Sequence, residues 1–222
     1  MSVSHLVSRA GVGVEAPEVL VETHLSPGLP GVNIVGLPEA AVRESRDRVR
    51  SAIANAGFEF PQRRITINLA PADLPKHGSR FDLPIAIGIL HASKQLGNID
   101  TSHLEFCGEL ALDGALRAVS GILPVALACR RAGRQLVCAP LNAEEASVSG
   151  AELLPAASLL AVCQQLTGQA PLNGQNNCPL PAPDPAALCL SQGRGQVQDR
   201  RSLEIAAAGR HSLLLCGPPG SG

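Results

Sequence analysis

The 222-residue sequence has no tryptophan, no tyrosine and only four phenylalanines, Phe58, Phe60, Phe81 and Phe106. Binding nucleic acid by stacking bases on an aromatic platform is therefore nearly excluded. Lysine is scarce, with only Lys76 and Lys94, and the formal net charge is −1. That balance excludes a uniformly basic coat and leaves room for a local patch. No apolar run reaches the roughly 18 residues needed to cross a bilayer. The start, MSVSHLVSRAGVGVEAP, has no charged segment leading into an apolar one, so no signal peptide is expected. The cysteines (Cys107, Cys129, Cys138, Cys163, Cys178, Cys189 and Cys216) are odd in number, widely spaced and free of C-x-x-C pairs. Neither a disulfide framework nor a zinc site follows. Most lie in apolar stretches such as ALAC and LLLC, where buried thiols are expected. The chain reads as a soluble cytoplasmic protein with no membrane partner and no metal site.

Hydrophobic residues make up 45% and charged residues 17%, enough to bury a sizeable core. Strands are expected at 2–9, 17–25, 32–37 (short and buried), 64–71, 104–110, 116–119, 135–139 and 151–154. Pro38 and Glu39 open a helix whose small and apolar residues Val42, Ser45, Val49, Ala52, Ile53 and Ala56 recur at helical spacing, with Gly57 as a stop. Further helices are expected at 83–96, 121–132 and 156–166, with a helical turn at 143–147 and a tight turn at Asp113-Gly114. The alternation indicates an α+β domain with α/β-like character over residues 1–166. Five prolines, Pro171, Pro179, Pro181, Pro183 and Pro185, fall in an aperiodic stretch that reads as a linker at 167–187. Residues 188–222 open a second domain, with a helix at 199–208 and a buried strand at 211–216.

The final six residues carry the sharpest motif. A phosphate-binding loop reads G-x-x-x-x-G-K-[ST] between an apolar strand and a helix. Gly217, Pro218, Pro219, Gly220, Ser221 and Gly222 supply its first six positions. In such loops backbone N–H groups cradle the phosphates, while the Lys and the hydroxyl complete charge neutralisation and Mg²⁺ binding. Lacking those two positions, residues 1–222 are expected not to hydrolyse ATP.

Three stretches, VGLPE, INLAPADLPK and FDLPIAIGIL, together with CGELALDGALRAVSGILP and LEIAAAGRHSLLLCGPPGSG, resemble the YifB/ComM family of magnesium-chelatase-like AAA+ ATPases. The resemblance covers the whole chain. It implies an N-terminal domain similar to the proteolytic domain of Lon, followed by the first strand and P-loop start of a AAA+ module. It also implies ATP and Mg²⁺ as cofactors, assembly with itself into a hexamer, and action on branched or single-stranded DNA. The best described members are branch-migration helicases of natural transformation.

The departures from that pattern bear on catalysis. In Lon-like domains a Ser nucleophile opens a helix and a Lys completes the dyad. Matching HGSRFDLPIAI to that pattern puts Arg80 at the Ser position, and matching GELALDGALRAVSGIL puts Leu123 at the Lys position. A Ser–Lys dyad needs a desolvated Lys to take the hydroxyl proton, so no catalytic residue is assigned. Ser79 with Lys76 or Lys94 is the remaining peptidase alternative. A further alternative is an interaction or assembly module that works without nucleotide.

Two basic groups are candidate contacts to DNA or to a neighbouring subunit. Arg43, Arg46 and Arg50 fall at i, i+3 and i+7 of one helix face, where Glu44 and Asp47 could pair with them. Lys76 and Arg80, with His77, lie on the loop between two apolar elements, where Asp82 is expected to cap the following helix.

Overall fold

A computed structural model describes residues 2–174 and 195–218, except for the side chains of Ser2 and Arg43. The chain divides into two compact units, Met1–Pro179 and Leu180–Gly222.

The first unit is built on a four-stranded sheet. β1 (Ser2–Arg9), β2 (Glu18–Ser26) and β4 (Arg64–Ala70) are antiparallel neighbours, and β3 (Gly31–Val35) runs parallel to β4, giving the order β1-β2-β4-β3. Parallel neighbours cannot be joined by a tight turn. α1 (Ala40–Asn55) supplies the crossover from β3 to β4. Strict alternation along β2 and β4 buries Val19, Val21, Ile65, Ile67 and Leu69 on one face and leaves the other half-exposed. α2 (Asp82–Ala92) packs beneath β1 and β2 and is buried almost all round, as its DLPIAIGILHA sequence requires. Gly88 lets it approach β2, because a Cβ there would press on Thr23 Oγ1.

A second sheet is wholly parallel, with β5 (Leu104–Phe106), β8 (Gln135–Cys138) and β9 (Leu153–Pro155) in that order. α3 (Ile122–Arg131) and α4 (Pro140–Ser147) flank it, and α5 (Leu159–Leu166) follows. The hairpin of β6 (Glu109–Leu110) and β7 (Leu116–Arg117) turns at Asp113, whose carboxylate accepts the Ala115 N–H at 3.0 Å. The described residues thus form a mixed α/β fold of several small sheets. No described helix is long and apolar enough to cross a membrane.

Several elements differ from the sequence expectations. β3 alternates between exposed and half-buried because it is an edge strand, so the buried strand expected at 32–37 is not found. Helix α1 begins at Ala40: Pro38 instead bridges to Lys76, and Glu39 sits at the cap. The single strand expected at 104–110 is split, because Cys107 and Gly108 turn the chain from Val137 to Arg80. The helix expected to reach residue 96 ends at Ala92. Residues 167–172 stay on the first unit, where Thr167 Oγ1 donates to Cys163 O and Leu172 N–H donates to Gln165 Oε1. The rest of the expected linker, 175–187, lies outside the described residues.

In the second unit α6 (Val197–Gly209) covers the helix expected at 199–208, but the buried strand expected at 211–216 is absent. Leu213, Leu214 and Leu215 are exposed. A strand needs a neighbour to take its N–H and C=O groups, and no described strand of this unit provides one. Cys107, Cys129, Cys138 and Cys163 are buried, and burial pushes the Cys107 thiol up to about 11. Cys216 is exposed, contrary to the expectation for LLLC. Cys178 and Cys189 lie outside the described residues.

Candidate functional site

Two polar regions of the first unit and the start of the loop at 217 bear on function. The first region surrounds residues 76–82. Main-chain bonds from Leu83 N to Gly108 O (3.1 Å) and from Gly108 N to Arg80 O (3.0 Å) clamp the start of α2 against the 107–110 segment. Asp82 lies at this junction with 0% side-chain exposure. It does not cap α2, whose cap is Phe81. Its carboxylate accepts Arg48 Nε at 2.7 Å, Arg48 Nη2 at 3.1 Å and Leu110 N at 3.3 Å. Burial pushes the Asp82 carboxyl up to about 6, against the lowering pull of Arg48 and the Leu110 N–H.

Lys76, a candidate contact to DNA or a neighbouring subunit, is enclosed. Its Nζ donates to Pro71 O, and burial lowers its pKa. An ammonium in that position offers nothing to an outside phosphate. Arg80 is half-buried: Nη2 donates to Ser120 O at 3.1 Å, while Nη1 is enclosed without a partner against Gly11. His77 is exposed, with Nδ1 2.6 Å from Glu39 Oε1. Ser79 Oγ donates to Glu109, whose other oxygen lies 3.6 Å from Arg117. Among the described residues neither lysine bonds Ser79, whose hydroxyl goes to Glu109, while Lys76 Nζ goes to Pro71 O. No group of three or more described His, Cys, Asp or Glu side chains could hold a metal ion.

The second region is the outer face of α1. Arg46 and Arg50 are exposed there, and the Arg50 guanidinium lies 5.4 Å from the Phe60 ring centroid, a cation–π contact. Among the described side chains no ion pair ties either arginine to Glu44 or Asp47. The two arginines line a cavity of about 260 Å³ with Val32, Asp47, Phe60 and Gln62. Arg43 lies on α1, but its side chain is outside the described residues. The arginine missed by the helix-face argument is Arg48. Its spacing to Ser45 (i−3) and Ala52 (i+4), both fully buried, is the signal that places it toward the interior.

Of the phosphate-loop residues, Gly217 and Pro218 are exposed and irregular, while Pro219, Gly220, Ser221 and Gly222 lie outside the described residues.

Residues 21–142 match the family described as subunit ChlI of Mg-chelatase, and residues 189–222 match magnesium chelatase, subunit ChlI. The chain belongs to the ChlI-like family. It is 51% identical over 240 residues to competence protein ComM of Haemophilus influenzae, covering 100% of this chain and 45% of that protein. It is 50% identical over 228 residues to the uncharacterized protein YifB of Escherichia coli, and 49% identical over 223 residues to YifB of Salmonella typhimurium. Each of those matches covers 100% of this chain and 44% of the relative. The chain therefore spans about half the length of the curated relatives it matches.

Proposed function

We propose that this chain is the N-terminal part of a ComM- and YifB-like AAA+ ATPase. Residues 1–166 would form a Lon-proteolytic-domain-like scaffold with 167–172 still bonded to it, the linker would follow up to 187, and 188–222 would be the start of the ATPase module. The reading is carried by the 51% identity to competence protein ComM across the full length of this chain. On it, the whole protein binds ATP and Mg²⁺ through the loop that begins at Gly217. It assembles as a hexamer and moves branched DNA as a helicase in the cytoplasm. The scaffold is non-catalytic on this reading. Arg80, at the position of the Lon-type Ser, reaches Ser120 O, three residues before Leu123 at the position of the Lys. Arg80 and Leu123, at the two dyad positions of that pattern, have side chains that can neither attack a carbonyl nor take a proton.

The test uses the protein extended through its complete ATPase module, assayed for ATP hydrolysis with four-way DNA junctions. Junction-stimulated hydrolysis and branch migration are expected. Both should be abolished in Gly220→Asp, which puts a carboxylate where phosphate must approach the backbone. An extended protein that hydrolyses ATP without acting on junctions would contradict the helicase reading.

A further inference from the structure

The two edges of the four-stranded sheet are treated differently. On the β1 edge β5 packs alongside, Ser8 Oγ donates to Phe106 O at 2.7 Å, and Arg9 pairs with Glu105 at 2.6 Å. No described element covers β3 in this way. Gly31 N–H donates to Arg63 O at 3.3 Å, which fixes the phase of the strand. In the parallel register Gly31, Asn33 and Val35 turn their backbone groups to β4, and Val32 and Ile34 turn theirs to the open edge. The sequence GVNIV carries no charge and no proline, so the guards that usually blunt an open edge are missing from the strand itself.

Both flanks of this edge are hollow and cationic. On the α1 side lies the cavity of about 260 Å³ containing Arg46 and Arg50. On the other side, a cavity of about 370 Å³ is lined by Leu29, Asn33 and Arg64 among others. Gly31 and Val32 border both. Across the two cavities three guanidinium groups face one carboxylate, Asp47. Among the described residues Arg46, Arg50 and Arg64 are in no ion pair. A strand added to an edge sends alternate side chains to opposite faces, here into the two cavities.

We infer that the open edge of β3 is a docking strand for an extended, acidic segment of a partner protein. Main-chain bonds to Val32 and Ile34 would hold the segment, and Arg46, Arg50 and Arg64 would select its carboxylates. Nucleic acid fits the same edge less well. Phosphates answer the free N–H groups but meet the free C=O groups of Val32 and Ile34 as like partial charges, whereas a peptide answers both.

The test is fluorescence anisotropy of residues 1–222 with a fluorescein-labelled nine-residue peptide alternating glutamate and valine. Saturable binding is expected, and the peptide with lysine in place of glutamate should not bind. Arg46→Glu should weaken binding by about tenfold, since like charges across an interface are strongly disfavoured. Arg131→Glu, the same charge change on α3, should leave it unchanged. Amide exchange read by NMR should slow at Val32 and Ile34 when the peptide is added and stay constant at Asn33. Binding that is indifferent to Arg46→Glu, or that leaves the Val32 and Ile34 amides unprotected, would overturn the proposal. So would Arg46-dependent capture of a labelled single-stranded DNA together with no binding of the peptide.

Discussion

On α1, Arg48 turns inward to a carboxylate with 0% side-chain exposure, whereas Arg46 and Arg50, two residues to either side, stand in solvent. Arg48 is held by two hydrogen bonds to Asp82 and one to Ala41 O at 3.2 Å, so its charge is spent inside the fold. Arg46 and Arg50 meet no carboxylate among the described residues and border a cavity instead. One helix thus carries the same side chain in two roles, and the neighbouring element decides which. Where α2 brings Asp82 up, arginine joins helices; where β3 leaves an edge open, arginine faces outward.

Breaking the inward pair should produce the largest effect. Arg48→Met leaves the Asp82 carboxylate enclosed without its cation and should cost about 3 kcal/mol of unfolding free energy at pH 8. At pH 5 the cost should be smaller, because Asp82 is largely protonated there even with Arg48 present. Urea unfolding at both pH values checks the magnitude and the difference.

Next is Gly36→Ala, at the turn that ends β3. Gly36 has φ +97°, and a Cβ there would overlap the Leu69 carbonyl. The substitution should cost about 2 kcal/mol, and the β3 amides should exchange faster while those of α2 keep their protection.

The pH dependence of stability sharpens the inward half of the comparison. The Asp82 carboxyl is raised from 3.8 to about 6, so between those values the folded state holds a proton that the unfolded chain has released. Its contribution is therefore fully present at acid pH and is lost as the pH rises through this window, by about 1.4 kcal/mol per pH unit. Subtracting the Asp82→Asn profile from that of the unmodified protein should isolate this slope. A difference of opposite sign would place the folded pKa below the ordinary value.

The smallest stability effects belong to the outward face. Arg46→Ala should change the unfolding free energy by less than about 0.5 kcal/mol. Arg50→Ala, which also removes the contact with Phe60, should cost at most about 1 kcal/mol.

Local periodicity made most of the elements legible. The alternation of EVLVETHLS and RITINLA and the i, i+3, i+4 spacing of Val42, Ser45, Val49, Ala52 and Ile53 mark β2, β4 and the buried face of α1. Strand order was not legible. VNIVGL looks like a buried strand because its residues are apolar, and only the order β1-β2-β4-β3 makes it an edge. Long-range pairing escaped for the same reason. Asp82 stands where a cap would stand, and its partner Arg48 is 34 residues away. Lys76 and Arg80 lie in a polar stretch that reads as an exposed loop, yet the 107–120 segment closes over Arg80, and Lys76 folds back on Pro71.

The most direct measurement of the two roles sets unfolding free energy beside peptide affinity for Arg48→Met and Arg46→Glu. Arg48→Met should lose about 3 kcal/mol of stability and, while folded, bind the glutamate–valine peptide as the unmodified protein does. Arg46→Glu should keep its stability and lose about tenfold in affinity. An Arg46→Glu protein as unstable as Arg48→Met, or a folded Arg48→Met protein that no longer binds the peptide, would contradict the division of labour along α1.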